Sequence, residues 1–431
     1  MTHGTQAATC TETGRPRGKQ AGAGWACEEI RSAGDDSQER SRAPLHVLYI
    51  TEIFPDPKSG LGYWGGGERQ FYEVATRVAK LGHRVTVLTC RFPGQRSSDF
   101  YDGVEVRRAG MSRDPGTGVA LRSPVRVAEY LVRTVKAGVE EACDVVHCNA
   151  YYPVIAGRAV SAIRKTPMVS TFHDLPGAQT WAEYSGSRSW GWLGYVATVA
   201  SARLAKGPVI SVSEQARARV APFVGGRLEV IPNGVDAELL GKGGSVKKPW
   251  QVLYVGRLVA YKRVDVLLAA FQEVAAKLPD ARLVVVGEGP ERGALERGAA
   301  SLPRGRVRFT GAVPSNQEVA RLYAESSLFV FPSVTEGEGV ALKEAMAAGL
   351  PVVAARAPGS GVLGLVRDGW NGALVPPGDA RALAGEMLRI LSDGEMAKEM
   401  GENGRSLAAG WGWDDVAEKV VEVYRRALDR G

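Results

Sequence analysis

The chain has 431 residues, 45% hydrophobic and 23% charged, with a formal charge of +7. The length suggests two domains, and the composition excludes a disordered, fibrous or disulfide-scaffold protein. No run of about 18 uncharged apolar residues exists to form a spanning helix, and no secretory leader is expected.

Residues 1–44 are rich in Gly, Ser, Arg and Gln, lack apolar periodicity and are expected to be a disordered tail. From Leu45 the pattern changes. Leu45–Ile53 is an apolar run suited to a strand covered on both faces. A loop with Gly60, Gly62 and Gly65-Gly66-Gly67 follows, and then Phe71, Val74, Ala75, Val78 and Ala79 recur at helical spacing. Gly82 ends that helix, Arg84–Cys90 forms the next strand, and His83 reads as structural. Strands are expected at Asp144–His147, Met168–Phe172, Val209–Val212 and Leu228–Ile231, with helices between them.

Residues 235–249 are polar and Gly-rich and read as a linker. The alternation restarts with strands at Gln251–Val255, Arg282–Val286, Val307–Thr310, Leu328–Pro332 and Pro351–Ala354, and the chain ends in helices. The result is two doubly wound α/β domains, residues 45–234 and 250–410, followed by a C-terminal helix in 411–431 that can pack back on the first domain. Ligands of such sheets lie outside the carboxyl ends of the strands, so a cleft between two facing domains is the expected site.

Five cysteines at odd spacings give neither a disulfide framework nor a zinc site, which fits a reducing, cytoplasmic compartment. Residues 45–234 hold 23 Lys/Arg against 16 Asp/Glu, whereas 1–44 and 235–431 are each balanced. All the excess positive charge therefore lies in the first domain, where an anionic substrate or membrane surface would be attracted. No nucleic-acid recognition motif accompanies it.

Chemistry-bearing residues gather at the carboxyl ends of the second domain's strands. Arg257 and Lys262 follow the first of these strands and together can neutralise a diphosphate. Gly287-Glu288-Gly289 follows the next, a turn that a phosphate can approach closely. The segment Pro332–Met346 carries Glu336, Gly337, Gly339, Val340 and Glu344 across a loop-to-helix junction. Its N–H groups suit a phosphate, and Glu344 suits vicinal hydroxyls such as those of a ribose. In the first domain, His173 ends a strand, and His147 ends another that can line the cleft.

These motifs resemble the GT-B fold glycosyltransferases of the retaining family 4. The resemblance rests on Glu336 and Glu344 with seven residues between them, on Gly256-Arg257-Leu258 with Lys262, and on Gly65-Gly66-Gly67-Glu68-Arg69-Gln70. It rests further on Gly82-His83-Arg84-Val85, Ile231–Asp236, Asn371-Gly372 and Val375–Asp379. It implies a nucleotide-diphospho-sugar donor, UDP- or GDP-linked, on the second domain and an acceptor on the first. It implies retention at the anomeric carbon without cofactor or metal, and no D-x-D sequence occurs. The resemblance assigns His173 and Glu336 to catalysis. It assigns Arg257, Lys262, Gly287, Gly289, Gly337, Gly339, Val340 and Glu344 to the donor, and Gly66, Gly67 and Glu68 to an acceptor or phosphate loop. Three departures stand out: Glu338 where the family usually has Phe, Lys343 where it rarely has Lys, and Gly359-Ser360-Gly361 leading to Leu363-Gly364 instead of Pro-Glu.

Ser189–Ala202 carries no charge, holds Trp190, Trp192 and Tyr195, and is flanked by Arg188 and Arg203. It suits a packed helix or a membrane interface. With the basic first domain, this tips the expectation toward a lipid-linked or anionic acceptor and a peripheral position on the inner membrane face. The alternatives are a soluble small-molecule acceptor, a nucleotide-sugar epimerase, or a non-catalytic nucleotide-sugar binder.

Overall fold

The computed structural model describes residues 43–56, 66–111, 124–185, 187–241, 247–313 and 315–429. Most of the expected tail, Gly60, Gly62 and Gly65 of the glycine loop, and Lys242, Gly243 and Gly244 of the linker lie outside the described residues. Pro44–Gly431 forms one compact unit.

Two sheets organise it. The first runs in the order β3-β4-β2-β1-β5-β6-β7-β8, with β1 at His46–Ile50, β2 at Arg84–Arg91, β3 at Ser98–Tyr101 and β4 at Val104–Met111. It continues with β5 at Val145–Asn149, β6 at Met168–Phe172, β7 at Val209–Ser211 and β8 at Leu228–Val230. The second runs β11-β10-β9-β12-β13-β14, with β9 at Gln251–Val255, β10 at Arg282–Val286, β11 at Val307–Gly311, β12 at Leu328–Phe331, β13 at Val352–Ala355 and β14 at Gly372–Val375. Every pairing is parallel except β3 with β4. Parallel strands need crossovers, and the intervening helices cover both sheet faces, which is why β6 and β12 are buried along their whole length and β1 at all but its first residue.

The structure differs from the sequence reading at several elements, and the strand β14 is one that the reading did not list. The first strand stops at Ile50, so Thr51, Glu52 and Ile53 belong to the cleft. The hairpin β3–β4 escapes a search for apolar runs because it sits at the sheet edge and carries Asp99, Glu105, Arg107 and Arg108. The linker holds a short helix, Ala237–Gly241.

The helix Gly66–Lys80 buries Phe71, Val74, Ala75 and Val78. Against this stripe packs the C-terminal helix Trp413–Leu428, whose Trp413, Val416, Val420 and Tyr424 join the core of the first sheet. Burial of each such side chain contributes about 1.5–3 kcal/mol. The chain thus crosses between the two halves twice, near Asn233–Asp236 and near Trp411–Gly412. The crossings touch, because Val235 N–H donates to Trp411 O at 2.7 Å.

Candidate active site

A cavity of about 730 Å³ opens between the carboxyl ends of the two sheets. Two helices start at its walls, Gly66–Lys80 from the first half and Val340–Ala347 from the second. They face each other closely: a side chain at Gly66 would meet Val340 Cγ2 at 3.7 Å. First-turn N–H groups lack intrahelical partners, so both starts favour negative charge.

The second half supplies cations and carboxylates. Arg257 and Lys262 line the cavity after β9. Lys262 Nζ donates to Glu336 Oε1, and its ammonium lies 5.1 Å from the Phe331 ring centroid. Glu344 is buried; its Oε1 accepts from Arg69 across the cleft, and its Oε2 accepts from Tyr323 OH at 3.0 Å. Arg69 is thus a site residue that the motif spelled out but its neighbours alone did not explain. Gly339 has φ +84°, a conformation that favours glycine, and it turns the loop into the helix. Gly337 lies so close to the first half that a side chain there would meet His173 O at 2.5 Å, and its own carbonyl accepts from Ser213 Oγ.

The two glycines after β10 serve packing. Gly287 lines the cavity, its N–H donates to Gly311 O at 2.9 Å, its φ is +138°, and a side chain there would meet Gly256 O at 1.9 Å. Gly289 lies outside the cavity lining, pressed on Leu258 O. The turn thus packs the β9 and β10 loops together, with Gly287 at the cavity and Gly289 behind it.

From the first half, His173, Gly67, Glu68 and Glu52 line the cavity. A Cβ at Gly67 would sit 3.1 Å from the His173 ring, so glycine is what lets the helix start approach the imidazole. Burial pushes the His173 pKa down to about 4, and its buried Nε2 has no hydrogen-bond partner among the described residues. A neutral imidazole facing the cavity can donate to or accept from a sugar hydroxyl. Burial, and then the Glu68 charge, push the Glu52 pKa up to about 8. Asp174 holds Arg219 at 2.5 Å, and Arg219 also donates to Gly359 O at 2.9 Å, bracing the loop that carries Glu336. Sequence spacing gave no sign of Glu52, Asp174 or Arg219.

His147 does not line the cleft. It is fully buried, with Nδ1 2.6 Å from Tyr424 OH and Nε2 2.8 Å from Thr171 Oγ1, and burial pushes its pKa down to about 3. Tyr424 OH also meets Tyr49 OH at 2.6 Å, so His147 anchors the C-terminal helix. His83 is structural, its Nδ1 accepting from Leu45 N–H at 2.9 Å. Among the described residues no cluster of three or more His, Cys, Asp or Glu forms a metal-ligand set.

Two family profiles match the chain: Glycosyltransferase Family 4 over residues 64–239 and Glycosyl transferases group 1 over residues 236–407. The chain is 29% identical to a D-inositol 3-phosphate glycosyltransferase of Catenulispora acidiphila, covering 91% of this chain and 98% of that one. It is 28% identical to a GDP-mannose-dependent alpha-(1-6)-phosphatidylinositol monomannoside mannosyltransferase of Mycobacterium tuberculosis, covering 88% and 98%. Among solved structures it is similar to HepE of Anabaena in complex with UDP and glucose, with a TM-score of 0.68 at 21% identity over 88% of this chain and 98% of that one.

Proposed function

We propose, from the premise that the chain belongs to the glycosyltransferases of the GT-B fold and joins a family 4 domain to a group 1 domain, that it moves the sugar of a UDP- or GDP-sugar to a lipid-linked acceptor with retention. The observation that carries the reading is the convergence of Arg257, Lys262 and the Val340 helix start on one wall, opposite His173 on the other. Charge develops on the leaving diphosphate as the anomeric bond breaks. Arg257, Lys262 once drawn from Glu336, and the helix N-terminus stabilise it, with no metal required.

The bond from the anomeric carbon to the phosphate oxygen breaks, and the bond to the acceptor oxygen forms on the same face. The acceptor hydroxyl's proton passes to the leaving phosphate. Lys262 links this event to Glu336, because a diphosphate that draws the ammonium away leaves the Glu336 carboxylate to bind sugar hydroxyls or steady positive charge at the anomeric carbon. Neutral His173 steadies the sugar from the other side. Glu344 suits the ribose hydroxyls.

The acceptor enters from the first half. The Glu68 charge disfavours a phosphate beside it, and Glu52, held protonated by burial, donates to or accepts from a hydroxyl, so the reacting part is a polyol rather than an anionic head. Thermal unfolding with UDP, GDP and their sugar conjugates tests the donor site. A ligand at 100 times its Kd stabilises by about 2.7 kcal/mol, and Arg257→Ala should abolish the shift. Stabilisation of both proteins alike, or of neither, overturns the assignment. The anomeric configuration of the product, read by NMR, tests retention.

A further inference from the structure

The helix Arg188–Leu204 buries little of its apolar surface. Its fully buried residues are small or polar, Gly191, Thr198, Ser201 and Ala202, with Tyr195 and Val199 partly buried against the core. The hydroxyls are satisfied within the helix, Thr198 Oγ1 donating to Gly194 O at 2.8 Å and Ser201 Oγ to Thr198 O at 2.7 Å. Its outward face is apolar, with Trp190 54% exposed, Trp192 58%, Leu193 55% and Val196 46%. Ordinary surface helices place their large apolar residues on the inward side.

The helix lies over the acceptor end of the cavity. A side chain at Gly191 would meet Ala182 N at 2.5 Å and one at Gly194 would meet Trp181 at 2.9 Å, so the two glycines let it sit directly on the helix Ala178–Ser185. Trp181 lines the cavity and stacks edge-on with Tyr151, another lining residue.

The charge around it points to the occupant. The helix Tyr152–Arg164 packs between the helices Arg188–Leu204 and Pro124–Glu140. Residues 124–140, 152–165 and 186–206 of this layer hold nine Lys/Arg (Arg126, Arg133, Lys136, Arg158, Arg164, Lys165, Arg188, Arg203 and Lys206) against Glu129 and Glu140. That net +7 equals the whole excess of residues 45–234. Ile163 and Val132 on the neighbouring helices are exposed as well.

We infer that this three-helix face docks the protein peripherally on an anionic lipid bilayer, with Trp190 and Trp192 seated at the headgroup level and the acceptor end of the cavity beside the membrane surface. Exposed tryptophans suit the headgroup boundary, and each nearby cation adds to attraction by anionic lipid. No helix among the described residues is long and apolar enough to cross a bilayer, so the contact described here is with the surface. The inference deepens the lipid-linked acceptor reading, but it stands on the surface rather than on the reaction.

The test is co-sedimentation with vesicles of equal parts phosphatidylglycerol and phosphatidylcholine, and with vesicles of phosphatidylcholine alone. The wild type should pellet with the first at low salt, release as salt rises, and stay in solution with the second. The double variant Trp190→Ser, Trp192→Ser should lose roughly tenfold or more in partitioning while keeping its unfolding midpoint and its stabilisation by donor nucleotide. Wild type that ignores the anionic vesicles, or a double variant that binds them equally well, overturns the inference. So does a wild-type dimer that the double variant dissolves, which would give the face to a second copy of the chain. Vesicle binding without transfer to any lipid acceptor supports the docking face and sinks the acceptor reading. Transfer to a detergent-dispersed lipid acceptor without vesicle binding does the reverse.

Discussion

Lys343 Nζ donates to Glu338 Oε1 at 2.8 Å, and the two residues are 1% and 7% exposed. The two residues that depart from the family pattern beside the donor loop are therefore one compensated pair. Glu338 also accepts from Asn233 N–H at 2.9 Å, Lys343 donates to Asn233 O, and the ammonium lies 4.8 Å from the Trp411 ring centroid. The pair thus ties the donor loop to both crossings between the halves. Burial raises the Glu338 pKa while Lys343 pulls it down. Removing one partner of such a pair costs about 3–5 kcal/mol, whereas replacing both by apolar groups is close to neutral. Glu338→Phe or Lys343→Met alone should lower the denaturation midpoint sharply, and the double variant should recover most of the loss. Additive losses in urea unfolding would falsify the pairing.

Arg69 reaches Glu344 across 275 positions of sequence and across the cleft. Arg69→Ala leaves the buried Glu344 carboxylate with the Tyr323 hydrogen bond among the contacts described above. We expect kcat/KM for the donor to fall about tenfold or more, with most of the effect in donor KM, consistent with loss of about 1.4 kcal/mol. Steady-state kinetics at saturating acceptor checks this. An unchanged donor KM would count against a role for the bridge in donor binding.

Glu52 gives a pH dependence with a definite sign. Its folded pKa of about 8 lies above an unfolded value near 4.3, so the folded state holds the extra proton between them. This contribution to stability is fully present below the unfolded value and is lost as pH rises toward and through 8. Glu52→Gln should leave the midpoint below about pH 4 nearly unchanged. At pH 9 it should raise stability by about 1–2 kcal/mol, a figure discounted because the carboxyl is partly solvated. Parallel pH–stability curves for the two proteins would contradict the shift.

His173, with its pKa pushed down to about 4, stays neutral through the working pH range. The kcat profile between pH 6 and 8 should show no titration traceable to it. His173→Ala should lower kcat about 100-fold with the fold intact, and His173→Gln, which keeps a hydrogen-bonding group, should recover part of that. A step near pH 6.5 that vanishes in His173→Gln would reject the neutral-imidazole role.

Much of the fold was legible because its signals are local. Apolar runs at β1, β9 and β12, helical stripes such as Phe71–Val78 and punctuation by Gly82 depend on neighbours a few residues apart. The position of Arg257, Lys262, Glu336 and Glu344 on the cleft was legible too, because each lies near the carboxyl end of a strand or the start of a helix. The hairpin β3–β4 was missed because an edge pair exposes one face and tolerates charge.

What the chain's order of residues determined by itself was the alternation of strand and helix, hence two parallel sheets, and the placing of charged groups at their carboxyl ends. Only the tertiary structure decided partnership. It took His147 out of the cleft and gave it to Tyr424, pressed Gly289 onto Leu258 behind the cavity lining, joined Glu338 to Lys343 and Arg69 to Glu344, and faced Trp190 and Trp192 outward. The physical reason is range. Periodicity is set within a turn or two of chain, whereas burial, ion pairing and the direction a helix faces depend on which distant segments the folded core brings alongside.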